Sequence, residues 1–180
     1  MICKAVIFDY IGTLVSCRGY SMDASRKTLH NALVTQGFDV AEDKFMAAYT
    51  VAHEKYRKVR YEQYREVTNA VWVSEALYNL GFEVKSDAPR LKAALNIFFQ
   101  DFIDTLKLRD GAKKLLQQAS AQTKVGIISN FTHAPVIHKS LRELGIHKYL
   151  NVVVVSEEVG WRKPSPEIFQ DTLRRLQVAA

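Results

Sequence analysis

The chain has 180 residues, of which 48% are hydrophobic, and this size allows one α/β core or a core with a small inserted domain. No stretch approaches the roughly 18 uncharged apolar residues of a membrane span, and the apolar run that ends at Phe8 is too short for a signal-peptide core, which predicts a cytoplasmic protein. The net charge is +6, and the two cysteines, Cys3 and Cys17, are too few for a disulfide framework.

The first predicted element is a buried strand over 4–9. The apolar run Ala5-Val6-Ile7-Phe8 is too short for a helix, and the chain turns soon after it, at Gly12. Because the run is apolar on both faces, we expect the strand to lie inside a sheet, with Asp9 at its carboxyl end.

Residues 21–106 follow, and no strand-like run interrupts them. Apolar residues recur there at spacings of three and four, which is typical of amphipathic helices. Four helices are predicted, over about 22–36, from about 41, over 68–80, and after Asp87 and Pro89. We therefore expect an all-helical insert over 19–107 and an α/β core formed by 1–18 and 108–180. The connections at 16–20 and 107–110 are the candidate hinges.

Two further apolar runs predict strands over 124–129 and 151–156. The segment between them, 134–144, has helical spacing and is followed by Gly145, so it completes a βαβ unit. A last helix is predicted to begin at Pro166, with Ser165 as its N-cap. These elements together predict an α/β fold with a parallel sheet.

Polar side chains are expected at the carboxyl ends of these strands, which is where parallel sheets bind ligands. Asp9 ends the first strand, Ser129 and Asn130 lie at the end of the second, and Lys163 lies in the loop after the third. Such a carboxylate can act as a nucleophile, while the ammonium offsets charge repulsion and the hydroxyl orients a substrate. Taken one at a time, each residue is better explained by a structural role.

Three segments, in order, resemble the motifs of the haloacid dehalogenase (HAD) superfamily. Residues 8–14, Phe-Asp-Tyr-Ile-Gly-Thr-Leu, look like its first motif; residues 125–130, Val-Gly-Ile-Ile-Ser-Asn, are similar to its second; and residues 162–166, Arg-Lys-Pro-Ser-Pro, resemble its third. The resemblance covers essentially the whole chain. It implies a Rossmann-like core, with the helical insert as a cap between the first and second motifs.

The resemblance also implies roles for the residues at the strand ends. It makes Asp9 the nucleophile and Lys163 the stabilising cation. It makes Thr13 a supporting residue near the nucleophile that helps to bind the substrate, and it makes Ser129 and Asn130 substrate ligands.

Ile11 departs from the family pattern, because the phosphatases of the family carry an acid/base aspartate at this position. The loss of such a group costs about 100-fold to 10,000-fold in rate. The dehalogenases lack this aspartate as well, since halide leaves without protonation, and they need no cofactor. The resemblance therefore implies 2-haloacid hydrolysis more than phosphatase activity; in the phosphatase case Mg²⁺ is the implied cofactor, with Asp9 as a ligand.

A second departure concerns the acidic fourth motif and its strand, which do not follow the third motif here. Glu157 and Glu158 precede Lys163 and are interpreted as exposed loop acids, so neither is assigned as a metal ligand. Without the fourth strand, the strand that carries Asp9 is expected to be an unpaired sheet edge. The chain would then be part of a longer hydrolase, a homo-oligomer joined at this edge, or a catalytically silent binding protein.

The basic stretch 55–65 also contains three tyrosines, a combination that occurs on nucleic-acid-binding surfaces. A solvated helix face with inward-packed tyrosines explains it more simply. We therefore expect a small anionic substrate as the partner and rank nucleic acid last. The resemblance also implies a halide-binding arginine, for which the candidates are Arg18, Arg57, Arg60 and Arg65.

Overall fold

The computed structural model describes residues 3–179. The chain forms two compact units, one made of Met1–Arg18 and Thr105–Ala180, the other of Gly19–Asp104. Residues 1, 2 and 180 of the predicted core lie outside the described part. The elements, in chain order, are β1 (Ala5–Asp9), β2 (Val15–Cys17), α1 (Met22–Thr35), α2 (Glu42–Glu62), α3 (Asn69–Tyr78), α4 (Pro89–Thr105), β3 (Leu106–Leu108), α5 (Ala112–Ser120), β4 (Lys124–Ser129), α6 (Ala134–Glu143), a 3₁₀ helix (His147–Tyr149), β5 (Val152–Val155), α7 (Ser156–Val159) and α8 (Pro166–Leu176).

The core of the first unit is a three-stranded parallel sheet in the order β1-β4-β5. Asp9 is in register with Ile128, and Ser129 is in register with Val155, so the three strands end at the same edge. The predicted parallel α/β fold is confirmed. Within the described residues β1 pairs with β4 alone, which leaves its other side as a sheet edge.

β4 is the central strand and the most buried part of the sheet. Ile128 packs there with Val154 of β5 and Ile168 of α8. Gly126 allows α8 to approach the sheet closely, since a Cβ built at this position would lie 3.3 Å from Leu176 Cδ1. The apolar run that predicted this strand therefore forms the centre of the hydrophobic core.

Parts of both predicted connections form a second, two-stranded antiparallel sheet. Ser16 of β2 is in register with Lys107 of β3, and Cys17 is in register with Leu106. Neither strand was predicted from the sequence, in which 16–20 and 107–110 were interpreted as connections and candidate hinges. Strands of three residues are too short to show the alternating pattern by which a strand is recognised.

The second unit is all-helical, as predicted, and contains α1, α2 and α3 with most of α4. α2 packs against α1 and α3. Apolar side chains from all four helices are fully or almost fully buried, among them Leu29, Phe45, Trp72 and Leu95. This unit therefore has a hydrophobic core of its own.

The basic stretch of α2 has acidic partners inside this unit. Lys55 Nζ donates to both carboxylate oxygens of Glu75, at 2.8 and 2.9 Å, and Tyr56 donates to the same group at 2.6 Å. Arg60 Nε donates at 3.0 Å to Glu66, whose side chain is 1% exposed. Part of the positive charge that suggested nucleic acid as a partner is thus paired within this unit.

In the part of the chain that the structure covers, no helix is both long and apolar enough to cross a membrane.

Candidate active site

Asp9 and Lys163 meet at the carboxyl edge of the parallel sheet. Asp9 is the last residue of β1, and Lys163 lies between α7 and α8. The Lys163 ammonium donates to Asp9 Oδ1 and, at 2.8 Å, to the carbonyl oxygen of Ile128 on the neighbouring strand. The Asp9 side chain remains 43% exposed, so a substrate can reach it from solvent.

Thr13 holds the other oxygen of the same carboxylate. Its hydroxyl donates to Asp9 Oδ2 at 3.0 Å. A tight turn brings Thr13 back towards Asp9: the carbonyl of Tyr10 accepts bonds from the backbone N–H groups of Thr13, Leu14 and Val15, at 2.9 to 3.2 Å. Gly12 has a φ of +92° in this turn, a conformation that side chains rarely adopt.

Asn130 is bound to the backbone of Lys163 at both ends of its amide. Its Nδ2 donates to the Lys163 carbonyl at 3.0 Å, and the Lys163 N–H donates to its Oδ1 at 2.8 Å. Two such bonds fix the loop that carries the ammonium. The resemblance implied a substrate ligand here, and the contacts in the structure favour a positioning role.

Ser129 lies at the end of β4, next to Asn130, and is 2% exposed. Among the described residues no hydrogen bond joins its side chain to Asp9 or Lys163. The structure therefore brings Asp9, Thr13, Lys163 and Asn130 into one bonded group and leaves Ser129 beside it.

Tyr10 anchors the turn after the nucleophile position, and sequence reasoning missed it. The residue is fully buried, and its hydroxyl shares a hydrogen bond of 2.9 Å with Ser140 on α6. Burial raises the pKa of the Tyr10 phenol to about 12. The available signal was an aromatic residue beside Asp9, but its partner is distant in sequence.

Comparisons with known proteins identify the family of the chain. The sequence model of the family described as "Hydrolase: haloacid dehalogenase-like hydrolase" matches residues 3–180. The chain belongs to the haloacid dehalogenase-like hydrolases. The resemblance drawn from the three motifs is thereby confirmed.

Similar proteins are found both by sequence comparison and by structure comparison. The chain is 30% identical over 178 residues to a glyceraldehyde 3-phosphate phosphatase of Methanothermobacter thermautotrophicus, which covers 96% of this chain and 71% of that protein. It is 26% identical over 182 residues to a ribulose-1,5-bisphosphate 5-phosphatase of Halopiger xanaduensis, with 98% and 72% covered. The structure of a 2-haloacid dehalogenase from Pseudomonas syringae pv. Tomato DC3000 matches with a TM-score of 0.64 at 21% identity, over 99% of this chain and 74% of that chain. The structural match shows the shared fold.

The two acids before Lys163 have structural partners in this HAD-like hydrolase. Glu157 and Glu158 lie in the short helix α7 and not in a loop; Glu158 is exposed, as predicted, whereas Glu157 is half-buried. Glu157 accepts from the backbone N–H of Ala134, at the start of α6. Glu158 bonds to His138 Nε2 at 2.8 Å and accepts from the Val155 N–H at 3.2 Å. Glu157 joins α7 to the start of α6, where free N–H groups attract carboxylates, and Glu158 joins α7 to α6 through His138.

A Mg²⁺ ion prefers six oxygen ligands in octahedral geometry, usually with one or two carboxylates among them. Within residues 3–179, no group of three or more His, Cys, Asp or Glu side chains is placed to hold a metal ion. Both oxygens of Asp9 are already bonded, one to Lys163 and one to Thr13. The described side chains of this HAD-like hydrolase therefore form no cluster of three or more such ligands around Asp9, and we derive no catalytic step through the ion.

Proposed function

We propose that this HAD-like hydrolase uses the Asp9 carboxylate as a nucleophile towards a small anionic substrate, with Lys163 as the stabilising cation. The observation that carries the proposal is the position of one ammonium group, bonded to the Asp9 carboxylate and to the Ile128 carbonyl. Two strand ends thus hold a carboxylate and a cation together where solvent reaches them. In such a group the cation offsets the repulsion between the nucleophile and an anionic substrate.

The reaction would proceed in two steps. In the first, a lone pair of an Asp9 oxygen forms a bond to the electrophilic atom, and the electrons of the breaking bond depart with the leaving group. In the second, water attacks the covalent intermediate and gives up a proton to solvent, and the bond between the transferred group and the Asp9 carboxyl group breaks, which regenerates the carboxylate. Thr13 and Lys163 keep the carboxylate oriented throughout, because each bonds to one of its oxygens.

Ile11 limits the leaving group. The backbone of this half-buried residue forms a β-bridge with Val15, and its aliphatic side chain has no proton to transfer. A group that needs protonation as it departs would leave slowly, since a positioned acid is worth about 100-fold to 10,000-fold. We therefore expect substrates whose leaving group is stable as an anion, such as a halide, a phenolate or a carboxylate.

The names of the sequence relatives and the identity of Ile11 favour different reactions. Both relatives described above are named phosphatases, which supports phosphate release from a small phosphorylated molecule. Ile11 supports halide release from a 2-haloacid. Our first candidate is phosphate release with a stable leaving anion, and the second is 2-haloacid hydrolysis. In either reaction we propose that the helical unit acts as a cap that helps to select the substrate.

The test is hydrolysis by the purified wild type, Asp9→Asn and Asp39→Asn. Phosphate release is measured from p-nitrophenyl phosphate, with and without Mg²⁺, and chloride release from 2-chloropropionate. We expect turnover of one substrate by the wild type and a loss of about 1,000-fold or more in Asp9→Asn, because the proposed nucleophile is removed. Asp39→Asn removes an exposed carboxylate of the helical unit and should keep the wild-type rate.

Two results would count against the proposal. Turnover retained in Asp9→Asn would remove Asp9 from the reaction. Absence of all turnover in a folded wild type would favour a catalytically silent binding protein. A covalent adduct on Asp9, found by mass spectrometry after rapid quenching, would support the nucleophile directly.

A further inference from the structure

A cavity lies in the same unit as Asp9, and none of the five predicted site residues lines it. Its volume is about 840 Å³, and its walls are Ile11 and Gly12 together with residues 16–18 and 107–110. We call it the basic pocket. Small-molecule sites usually measure about 300 to 1,000 Å³, so a small metabolite fits this volume.

The charge of the basic pocket is strongly one-sided. Three of its side chains are cationic, those of Arg18, Lys107 and Arg109, and one is a carboxylate, that of Asp110. All four residues are exposed. The ion pairs among the described residues leave the three cations without a carboxylate partner. The pocket therefore carries a net charge of +2 that no neighbouring acid neutralises.

The backbone that carries these cations is held by the β2–β3 pairing. Lys107 is in register with Ser16, and Arg18 follows the last paired residue, Cys17. The N–H of Arg109 donates to the Leu14 carbonyl at 3.0 Å, which extends the pairing by one bond. Lys107 and Arg109 are separated by one residue, so their side chains project to the same side of the extended chain. The backbone positions of the three cationic residues around the cavity are thus held by this pairing.

We propose that the basic pocket binds a phosphorylated small molecule through its phosphate dianion, by side chains other than the five predicted site residues. A phosphate monoester carries a charge of about −1.5 to −2 near neutral pH, which matches the net charge of the pocket. Two guanidinium groups supply the forked donors that bind phosphate oxygens in pairs. The phosphate belongs either to a free ligand or to the far end of a substrate; only the second source rests on the proposed function.

The first test measures the binding of propyl phosphate by titration calorimetry at constant ionic strength. The protein is Asp9→Asn, so hydrolysis cannot interfere. Arg18→Ala with Arg109→Ala should weaken binding about tenfold or more, because charge-assisted hydrogen bonds are lost. The matched control, Lys113→Ala with Lys114→Ala, removes the same charge from exposed positions on α5 outside the pocket, and should change the affinity less than about twofold. Equal effects of the two pairs would overturn the proposal.

The second test uses Cys17, which lines the pocket, as a reporter. Its thiol lies 3.0 Å from Thr105 Oγ1 and is half-buried. In a Cys3→Ser background, propyl phosphate should slow the alkylation of Cys17 severalfold, whereas sodium chloride of equal ionic strength should leave the rate unchanged. An unchanged rate with saturating propyl phosphate would overturn the proposal even if the protein binds the ligand elsewhere.

The source of the phosphate is decided by comparing propyl phosphate with propane-1,3-diyl bisphosphate. If the pocket holds the far end of a substrate, the bisphosphate binds more tightly, and Lys163→Met removes the difference. If it holds a free ligand, the two compounds bind alike, and Lys163→Met changes neither affinity. Either result requires that a phosphate group binds in the basic pocket. Both results are measured as binding affinities, so the test can be carried out even if the protein shows no turnover.

Discussion

Lys163 joins the ends of β1 and β4 through one ammonium group. We expect Lys163→Met to lower kcat by about 100-fold to 1,000-fold, because a fixed positive charge beside the reacting group is lost. Lys163→Arg keeps the charge but not the compact shape that makes both contacts, so it should recover only a small part of the kcat lost in Lys163→Met. Steady-state kinetics of both variants, with the exposed Lys113→Met as control, measures the effect. A full rate in Lys163→Met would remove this cation from catalysis.

His133 gives the fold a sensitivity to acid. Burial lowers the pKa of this imidazole to about 4, whereas an unfolded histidine binds a proton at about pH 6.5. Between these values the unfolded state binds more protons, so the folded state loses stability as the pH falls from about 6.5 to 4. With allowance for solvent screening, the expected loss is about 1–2 kcal/mol.

Urea unfolding at about pH 7 and pH 4.5 checks this expectation. His133→Gln should lose less free energy of unfolding than the wild type between the two pH values, by about the same 1–2 kcal/mol. His147→Gln, at an exposed position, serves as the control and should behave like the wild type. Identical losses in all three proteins would contradict the assignment to His133.

The sequence predicts a site residue best where the end of a strand fixes the position of that residue. Asp9 and Lys163 were predicted to converge, and they do, because parallel strands end at one edge. The partner of Tyr10 could not be predicted, since Ser140 is 130 positions away and only packing brings the hydroxyls together. The bonds of Asn130 to the Lys163 backbone depend on loop geometry and could likewise not be predicted from the sequence.

Gly126 shows how one residue limits the distance between two elements. A Cβ at this position would lie 3.3 Å from Leu176 Cδ1 and 3.7 Å from Thr172 Cγ2, both on α8. Gly126→Val should therefore lower the free energy of unfolding by about 1–3 kcal/mol through overpacking. Gly126→Ala should cost less, because the flexible end of Leu176 can move. Urea unfolding of both variants measures the difference, and a stabilised Gly126→Val would show that α8 is not held against β4.

Elements were predictable where burial gives a clear period. The apolar runs of β1, β4 and β5 and the spacings in α1 to α4 predicted their positions closely. α5 was missed because only two of its residues, Ala112 and Leu116, are buried. α7 was missed because it has four residues, too few for any period.

Each compact unit of the molecule contains one tryptophan. Trp72 is buried in the helical unit, whereas Trp161 packs against the Ile128, Val154 and Ile168 cluster of the α/β unit. Because each unit has its own core, we expect fluorescence of Trp161→Phe and Trp72→Phe to report unfolding at different urea concentrations. Coincident transitions in the two variants would show that the whole chain unfolds in a single step.

The whole fold was predictable to the level of its class. Apolar runs separated by helices predict a parallel sheet, and the three motifs predict the family, which is confirmed. The reaction could not be predicted from the same residues, because Ile11 and the relatives' names point to different leaving groups. Side chains that select a substrate follow no periodic pattern.

The position of β1 has a consequence for synthesis on the ribosome. Its strand partner among the described residues, β4, begins at Lys124, so about 115 residues are made between Asp9 and that strand. At about 5–20 residues per second, β1 waits roughly 6–23 s for a partner. During this interval an apolar strand is open to pairing with other chains. Chaperone dependence during translation should therefore concentrate on β1, Ala5–Asp9.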